Sequence, residues 1–498
     1  MRMNQKSIVK VFLKCTKLMA LGVYAILLIS CTHEIKDKPR PNILWLYVED
    51  ISPNLGCYGD SVVQTPNIDQ LAEQGVRFAN TIMPAPVCSA MRSAMITGMM
   101  QTTLGTHNHH SSRTETSQIY LPDSIKTIPE HFKEAGYFTF NQGKDDYNFS
   151  YVRDSLYSGD YHDNGMYGLV GDKIDWQLKE KDQPYFGQIQ FYGNKYIYNK
   201  KFDEIVLREI DTAAIKLPSY YPETSWMKEE WADYLSSIEL TDQAVGETLQ
   251  DLKNQGLLEN TYVFFFSDHG MRLWRHKQFL YEGGIKVPLT ITYFGENGKI
   301  QPATLNKDLI SGLDISATSL GLAGIALPDY LEGQDFLSNQ YARREYVISA
   351  RDRCDFSIDR VRSVRTEKFK YIRNFMTDRP YMQPSYRDAW DVTQHMKKAY
   401  ENGELNEVQA RVWQDQRPDE ELYDLINDPD ELVNLADEVA FKKILKTHRE
   451  ILDQWISNTN DQGQYPEDIE GLKFMYEIWG NQCINPEYNK VKALIAEN

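Results

Sequence analysis

Two acidic pairs and one cysteine carry the chemistry this sequence can offer. Glu49-Asp50 follows the apolar run Asn42-Ile43-Leu44-Trp45-Leu46-Tyr47-Val48, and Asp268-His269 follows a second run at residues 261–266. Ligands bind beyond the carboxyl ends of the strands in an open parallel sheet, so the two pairs can converge, and hard oxygen ligands there suit calcium or magnesium. Cys88 stands four residues before Arg92 in Pro86-Val87-Cys88-Ser89-Ala90-Met91-Arg92. A helix opening at Cys88 would aim its N-terminal amides at an anion and place Arg92 on the same face. Taken singly, each feature has an ordinary reading: acids after strands are solvated loop residues or caps, and a cysteine near an arginine is a buried thiol beside a paired cation. Their joint presence and order point to a metal-assisted anion site.

The segment from Cys88 through Ala90 and Arg92 to Thr97-Gly98 resembles the signature of the formylglycine sulfatases. That signature reads cysteine or serine, any residue, proline or alanine, any residue, arginine, then an apolar helix ending in Thr-Gly. The resemblance extends over residues 41–437. It includes Lys277 with Tyr281-Glu282 and Lys286-Val287-Pro288, Arg365-Thr366 with Lys370-Tyr371, and Leu422-Tyr423-Asp424-Leu425. It implies an alkaline phosphatase-like α/β fold and a maturing enzyme that oxidises Cys88 to formylglycine (3-oxoalanine). It also implies calcium held by Glu49, Asp50, Cys88, Asp268 and His269. In the family's chemistry the hydrated aldehyde attacks sulfur while, by residue-by-residue match, Arg92, Lys144 and Lys277 neutralise the sulfate oxygens.

Three positions depart from that pattern. Glu49 stands where the family has aspartate, Gly143-Lys144-Asp145-Asp146 replaces Gly-Lys-x-His, and Gly193-Asn194-Lys195 replaces a Pro-His. The acid that protonates the leaving alcohol is therefore open between Lys195 and a histidine of Gly105-Thr106-His107-Asn108-His109-His110, with His107 carried as a catalytic candidate. Asp146, Lys195, His109, His110, Arg351 and Arg353 are the candidate substrate contacts. A zinc site from the three histidines is conceivable, although adjacent side chains rarely face one centre. The expected reaction is hydrolysis of sulfate esters of a polysaccharide or oligosaccharide, an algal glycan such as ulvan or carrageenan ahead of a glycosaminoglycan. The rival enzyme is a phosphodiesterase or phosphonate hydrolase. The rival from another class is a glycan-binding lipoprotein on an inactive scaffold, against which the intact Cys88, Arg92, Asp268 and Lys277 argue.

The elements that must position these residues read as a doubly wound α/β domain, with apolar strands alternating with helices. Thr65-Pro66 opens a helix that stops at Gly75, and a periodic stretch runs from about residue 234 to 253. From Tyr346 onward short β-like runs such as residues 369–373 lead to a closing helix around 441–456, predicting a smaller α+β subdomain. The expected division is 1–30 signal peptide, 31–40 tether, 41–340 catalytic domain and 341–498 C-terminal subdomain. Residues 1–30 carry five basic side chains and an apolar run too short to span a bilayer, and Leu28-Ile29-Ser30-Cys31 resembles a bacterial lipobox. That predicts an exported lipoprotein of a Gram-negative outer membrane or periplasm, attached to the membrane only through lipid on Cys31. The 498-residue chain has a formal charge of −17, or −22 without residues 1–30. Such a field excludes nucleic acid as a partner and repels a polyanionic glycan at long range, so sulfate must be held by a local basic pocket. Cys57, Cys354 and Cys483 read as free thiols, able to form at most one disulfide.

Overall fold

The computed structural model describes residues 39–112, 114–158, 174, 176–197 and 208–497. The signal-peptide segment, Cys31 and most of the tether lie outside the described residues. Among the described residues, eleven strands, β1 to β11, form two sheets. The larger contains β1 (Asn42–Val48), β2 (Gly75–Ile82), β3 (Phe138–Gln142), β4 (Tyr185–Phe191), β5 (Thr261–Ser267), β6 (Lys286–Phe294) and β7 (Thr304–Ser311), in the order β3-β4-β1-β5-β6-β2-β7. β3, β4, β1 and β5 run parallel, β6 is antiparallel to both β5 and β2, and β7 is parallel to β2.

Unbroken apolar runs become central strands because both faces of this sheet are covered. Alternate residues of β1 and β5 go to opposite cores. Leu44, Leu46, Val48, Val263 and Phe265 meet Trp231, Leu235 and Ile238 of the long helix Ser225–Asn254. Ile43, Trp45, Tyr47, Phe264 and Phe266 meet Met91 and Met95 of the helix Cys88–Thr97, with Ile315 and Leu320 of the helix Gly312–Leu322. These three helices are α2 (Cys88–Thr97), α3 (Ser225–Asn254) and α4 (Gly312–Leu322), after α1 (Pro66–Gln74). α1 stops where expected, but Gly75 is not a left-handed cap: it starts β2, where a Cβ would lie 2.1 Å from the Ile291 carbonyl oxygen. α3 begins nine residues earlier than its sequence periodicity indicated, at Ser225, because Trp226, Met227 and Trp231 add apolar contacts to the same core.

The smaller sheet is antiparallel, in the order β11-β10-β9-β8: β8 (Tyr346–Arg351), β9 (Val361–Thr366), β10 (Phe369–Asn374) and β11 (Glu420–Asp424). Val364, Tyr371 and Leu422 pack with Leu445 and Leu452 of α5 (Lys442–Thr459). The change of character after residue 340 thus marks the passage from one sheet to the other, within a single unit at Pro41–Asn498. Cys57, Cys88, Cys354 and Cys483 are free thiols. No described helix is long and apolar enough to cross a membrane.

Candidate active site and metal centre

Strand register brings the acidic pairs together. Val48 of β1 lies beside Ser267 of β5, so the residues that follow emerge side by side beyond the carboxyl ends of two central strands. Asp50 turns into the left-handed region at φ 55°, a conformation Asp tolerates, and its backbone N–H donates to Asp268 Oδ1 at 2.9 Å. The His269 N–H donates to the same oxygen at 2.9 Å, while Asp268 Oδ2 is buried with no hydrogen-bond partner. Cys88 opens α2 opposite them, its Sγ 3.3 Å from His269 Nε2 and 3.4 Å from Lys277 Nζ. Ligand atoms of Asp50, Cys88, Asp268 and His269 all lie within 4.8 Å of one another, and all four residues are buried.

This donor set fits a hard cation. A buried carboxylate oxygen without a hydrogen bond is costly, and a bound cation would compensate it. His269 Nδ1 lies 2.9 Å from the Gly270 carbonyl, which fixes that nitrogen as the donor and turns Nε2 towards the acids. Burial is the largest influence on His269 and opposes its charge, but Asp268 and Cys88 together outweigh it and push the imidazole up to about 9, so a cation would compete with that proton for Nε2. Burial likewise works to raise the Asp50 carboxyl, yet Lys277, His269 and Lys195 hold it well below the usual carboxylate range. Lys277 Nζ lies 2.9 and 3.0 Å from the two Asp50 oxygens.

Beside the metal group lies a cluster of cations. Arg92, Lys144 and Lys195 all pair with Glu49, Lys144 at 3.0 Å. Burial would raise the Glu49 carboxyl, but Lys144, Lys195 and Arg92 together keep it well below its ordinary value. The longer side chain of Glu49 therefore reaches the cations, with Oε2 3.8 Å from Cys88 Sγ, while Asp50 and Asp268 face His269. Lys195 arrives on a turn that only glycine can make: Gly193 sits at φ 52°, and a Cβ there would lie 1.8 Å from the Glu49 carbonyl oxygen. Lys144 follows β3 on a loop whose Gly143 has φ 119°.

Two residues that sequence reasoning did not single out hold Arg92 in place. Gln190 Oε1 accepts from its guanidinium at 2.9 Å, and the Tyr47 ring lies 4.2 Å beneath it. Two buried glutamines, Gln188 and Gln190, in a strand whose other residues are aromatic, aliphatic or glycine were the available signal. Sequence reasoning also did not single out Asp355, which meets the histidine loop instead, with Oδ1 3.0 Å from His109 Nδ1.

The histidine loop divides. His109 and His110 stack at 3.6 Å between ring centroids, and His110 Nε2 lies 3.4 Å from Asp146 Oδ1. Asp146 Oδ2 lies 3.1 Å from Lys144 Nζ, which links this pair to the Cys88 site. His107 turns elsewhere: its charged neighbours are Asp352, Arg362, Asp461 and Glu467, and burial lowers its pKa. The three imidazoles do not converge on one ion, and the groups that bring ligand atoms together here are His109 with Cys354 and Asp355, and His109 with His110 and Asp146. Arg351 and Arg353 are buried. Arg351 pairs with Asp359 at 2.9 Å, and Arg353 pairs with Glu467 while donating to the carbonyls of His109 at 2.8 Å and Asp355 at 2.7 Å. In this arrangement Arg353 braces two loops from within.

The family model for sulfatases matches residues 41–325, and one described as the C-terminal part of N-sulphoglucosamine sulphohydrolase matches residues 269–420. An ulvan-active sulfatase of Formosa agariphila is 31% identical over 93% of this chain and 82% of its own length. A solved structure in complex with its substrate D-glucosamine-2-N,6-O-disulfate shares the fold at TM-score 0.58 and 18% identity, covering 85% of this chain and 98% of that one. The phosphonate monoester hydrolase of Agrobacterium radiobacter does so at TM-score 0.58 and 18% identity, over 84% and 96% of the two chains.

Proposed function

Because this chain belongs to the sulfatase family and is a sulfuric ester hydrolase, we propose that it removes sulfate from a sulfated polysaccharide or oligosaccharide using formylglycine made from Cys88 and a calcium ion. The observation that carries this reading is the convergence of Cys88 with Asp50, Asp268 and His269 beside Arg92, Lys144, Lys195 and Lys277. Oxidised Cys88 would supply an oxygen nucleophile for sulfur and calcium the positive charge that activates it. Asp50, Asp268 and His269 would hold the ion, with Glu49 able to reach the same space from the cation cluster. Arg92, Lys144, Lys195 and Lys277 supply fixed positive charge where negative charge grows on the sulfate oxygens, in a buried setting where each interaction counts for more than in water.

The favoured substrate is an algal glycan of the ulvan type, supported by the relative named for activity on ulvan. A glycosaminoglycan is the second reading, supported by the match of residues 269–420 to the sulphohydrolase model. The lipobox-like Leu28-Ile29-Ser30-Cys31 supports export as a lipoprotein of the outer membrane or periplasm, with a sulfatase-maturing enzyme as the other protein partner. The test is sulfate release by matured enzyme from defined sulfated oligosaccharides of ulvan, carrageenan and glycosaminoglycan origin, with a phosphodiester as control. Turnover of ulvan fragments is the expected result. Preference for the phosphodiester would overturn the reading in favour of the hydrolase relatives.

A further inference from the structure

The geometry points to His110 as the group that delivers a proton to the departing alcohol, with Asp146 and Asp355 as its positioning residues; this rests on the sulfatase reading above. Sulfate leaves a sugar by breaking the bond between sulfur and the sugar oxygen, and that oxygen keeps the electron pair. An alkoxide is a poor leaving group, so a positioned acid is worth a large factor in rate. Of the three histidines on the loop after α2, His107 lies against Asp352, Arg362 and Asp461. His109 spends Nδ1 on Asp355 and is held to about 4, chiefly by burial and by the neighbouring His110. His110 keeps 13% of its side chain exposed, and its ring lies between the carboxylates of Asp146 and Asp355.

Its placement is built by several independent contacts. The His110 backbone N–H donates to the hydroxyl of Ser89, the residue after Cys88, at 3.2 Å. Its Nε2 lies 3.4 Å from Asp146, and Asp146 lies 3.1 Å from Lys144, one of the cations around Glu49. On the other edge Nδ1 lies 4.0 Å from Asp355, and the ring stacks on His109. His110, Asp146 and Asp355 all adopt left-handed backbone, at φ 59°, 52° and 47°. Residues held this way cost conformational energy that the surrounding fold must maintain, and three of them meet at one imidazole. Arg353 fixes the arrangement from beneath by donating to the carbonyls of His109 and Asp355. In the step itself a ring N–H proton passes to the sugar oxygen as the S–O bond breaks, and the neutral imidazole regains a proton from water.

The experiment uses matured enzyme and a series of aryl sulfates from 4-nitrophenyl to unsubstituted phenyl, so that the need for an acid grows along the series. His110→Gln should lose progressively more kcat/KM along it, reaching about 100-fold or more for the poorest leaving group and at least ten times less for 4-nitrophenyl sulfate. Asp146→Asn should show the same graded pattern with smaller amplitude, which a merely structural role would not produce. Equal losses across the series, in variants whose melting temperatures match the parent, would overturn the assignment. If the unaltered enzyme released no sulfate from any ester, the sulfatase reading itself would fall.

Discussion

Asp268 presents one oxygen to two backbone N–H groups and leaves the other buried without a hydrogen bond, 3.6 Å from His269 Nε2, a division of labour that makes sense if the second oxygen binds an ion. A cation that binds only the folded chain adds stability by mass action, about 2.7 kcal/mol at 100 times its dissociation constant. Asp268→Ala should therefore show no calcium binding by calorimetry and no gain in melting temperature on adding calcium, measured against the same variant in chelator. A calcium-dependent shift equal to the parent's would contradict the assignment. Much of this site could be read from the chain, because Cys88, Arg92, Asp50, Asp268 and Lys277 stand in a recognisable linear order. Tyr47 and Asp355 could not, since each matters only through a neighbour brought by a different strand or loop, and Gln190 offered only the signal of a buried amide in its strand. Glu49 shows the limit from the other side: its chemistry was visible, but whether one extra methylene turns it to the metal or to the cations depends on where Lys144 and Lys195 arrive.

The loops after the strands are held by buried polar contacts, and two of these can be tested. Arg353 ties the loop bearing His109 and His110 to the segment of Asp355 and to Glu467. Removing one member of a buried ion pair strands the other, so Arg353→Ala should cost about 3–5 kcal/mol in denaturant unfolding. A loss below about 1 kcal/mol, typical of exposed pairs, would show that the brace is not needed. The segment after β5 that delivers Lys277 is anchored by His276, whose nitrogens meet Ser52 Oγ at 3.0 Å and Tyr220 OH at 3.1 Å. Burial, with Arg275 adding to it, pushes His276 down to about 3 from an ordinary 6.5. The unfolded chain then binds the proton that the native ring refuses. The resulting stability is complete above pH 6.5 and is lost as pH falls from 6.5 towards 3, by up to about 1.4 kcal/mol per pH unit. His276→Asn should flatten the acid limb of the unfolding free energy by one proton, and an unchanged slope would refute it. The central strands were legible because continuous apolar runs buried on both faces have few other homes. β8 to β11 were legible only in part, since an antiparallel sheet assembled from residues 346 to 424 is specified by pairing between distant segments.

At the scale of the molecule, an acidic chain of net charge −17 concentrates positive charge beyond the carboxyl ends of the central strands, where Arg92, Lys144, Lys195 and Lys277 are met by Glu49 and Asp50. Long-range repulsion of a polyanion and local capture of one sulfate are thereby separated, and specificity for a glycan falls to the loops around that site. Catalysis by this site depends above all on the chemical state of residue 88. Mass spectrometry of the peptide spanning Cys88, on protein made with a maturing enzyme and sorted by specific activity, measures it most directly. Activity should rise in proportion to the fraction carrying the aldehyde in place of the thiol, and Cys88→Ala should be folded and inactive. A fully active preparation whose residue 88 is an unmodified thiol throughout would contradict this dependence.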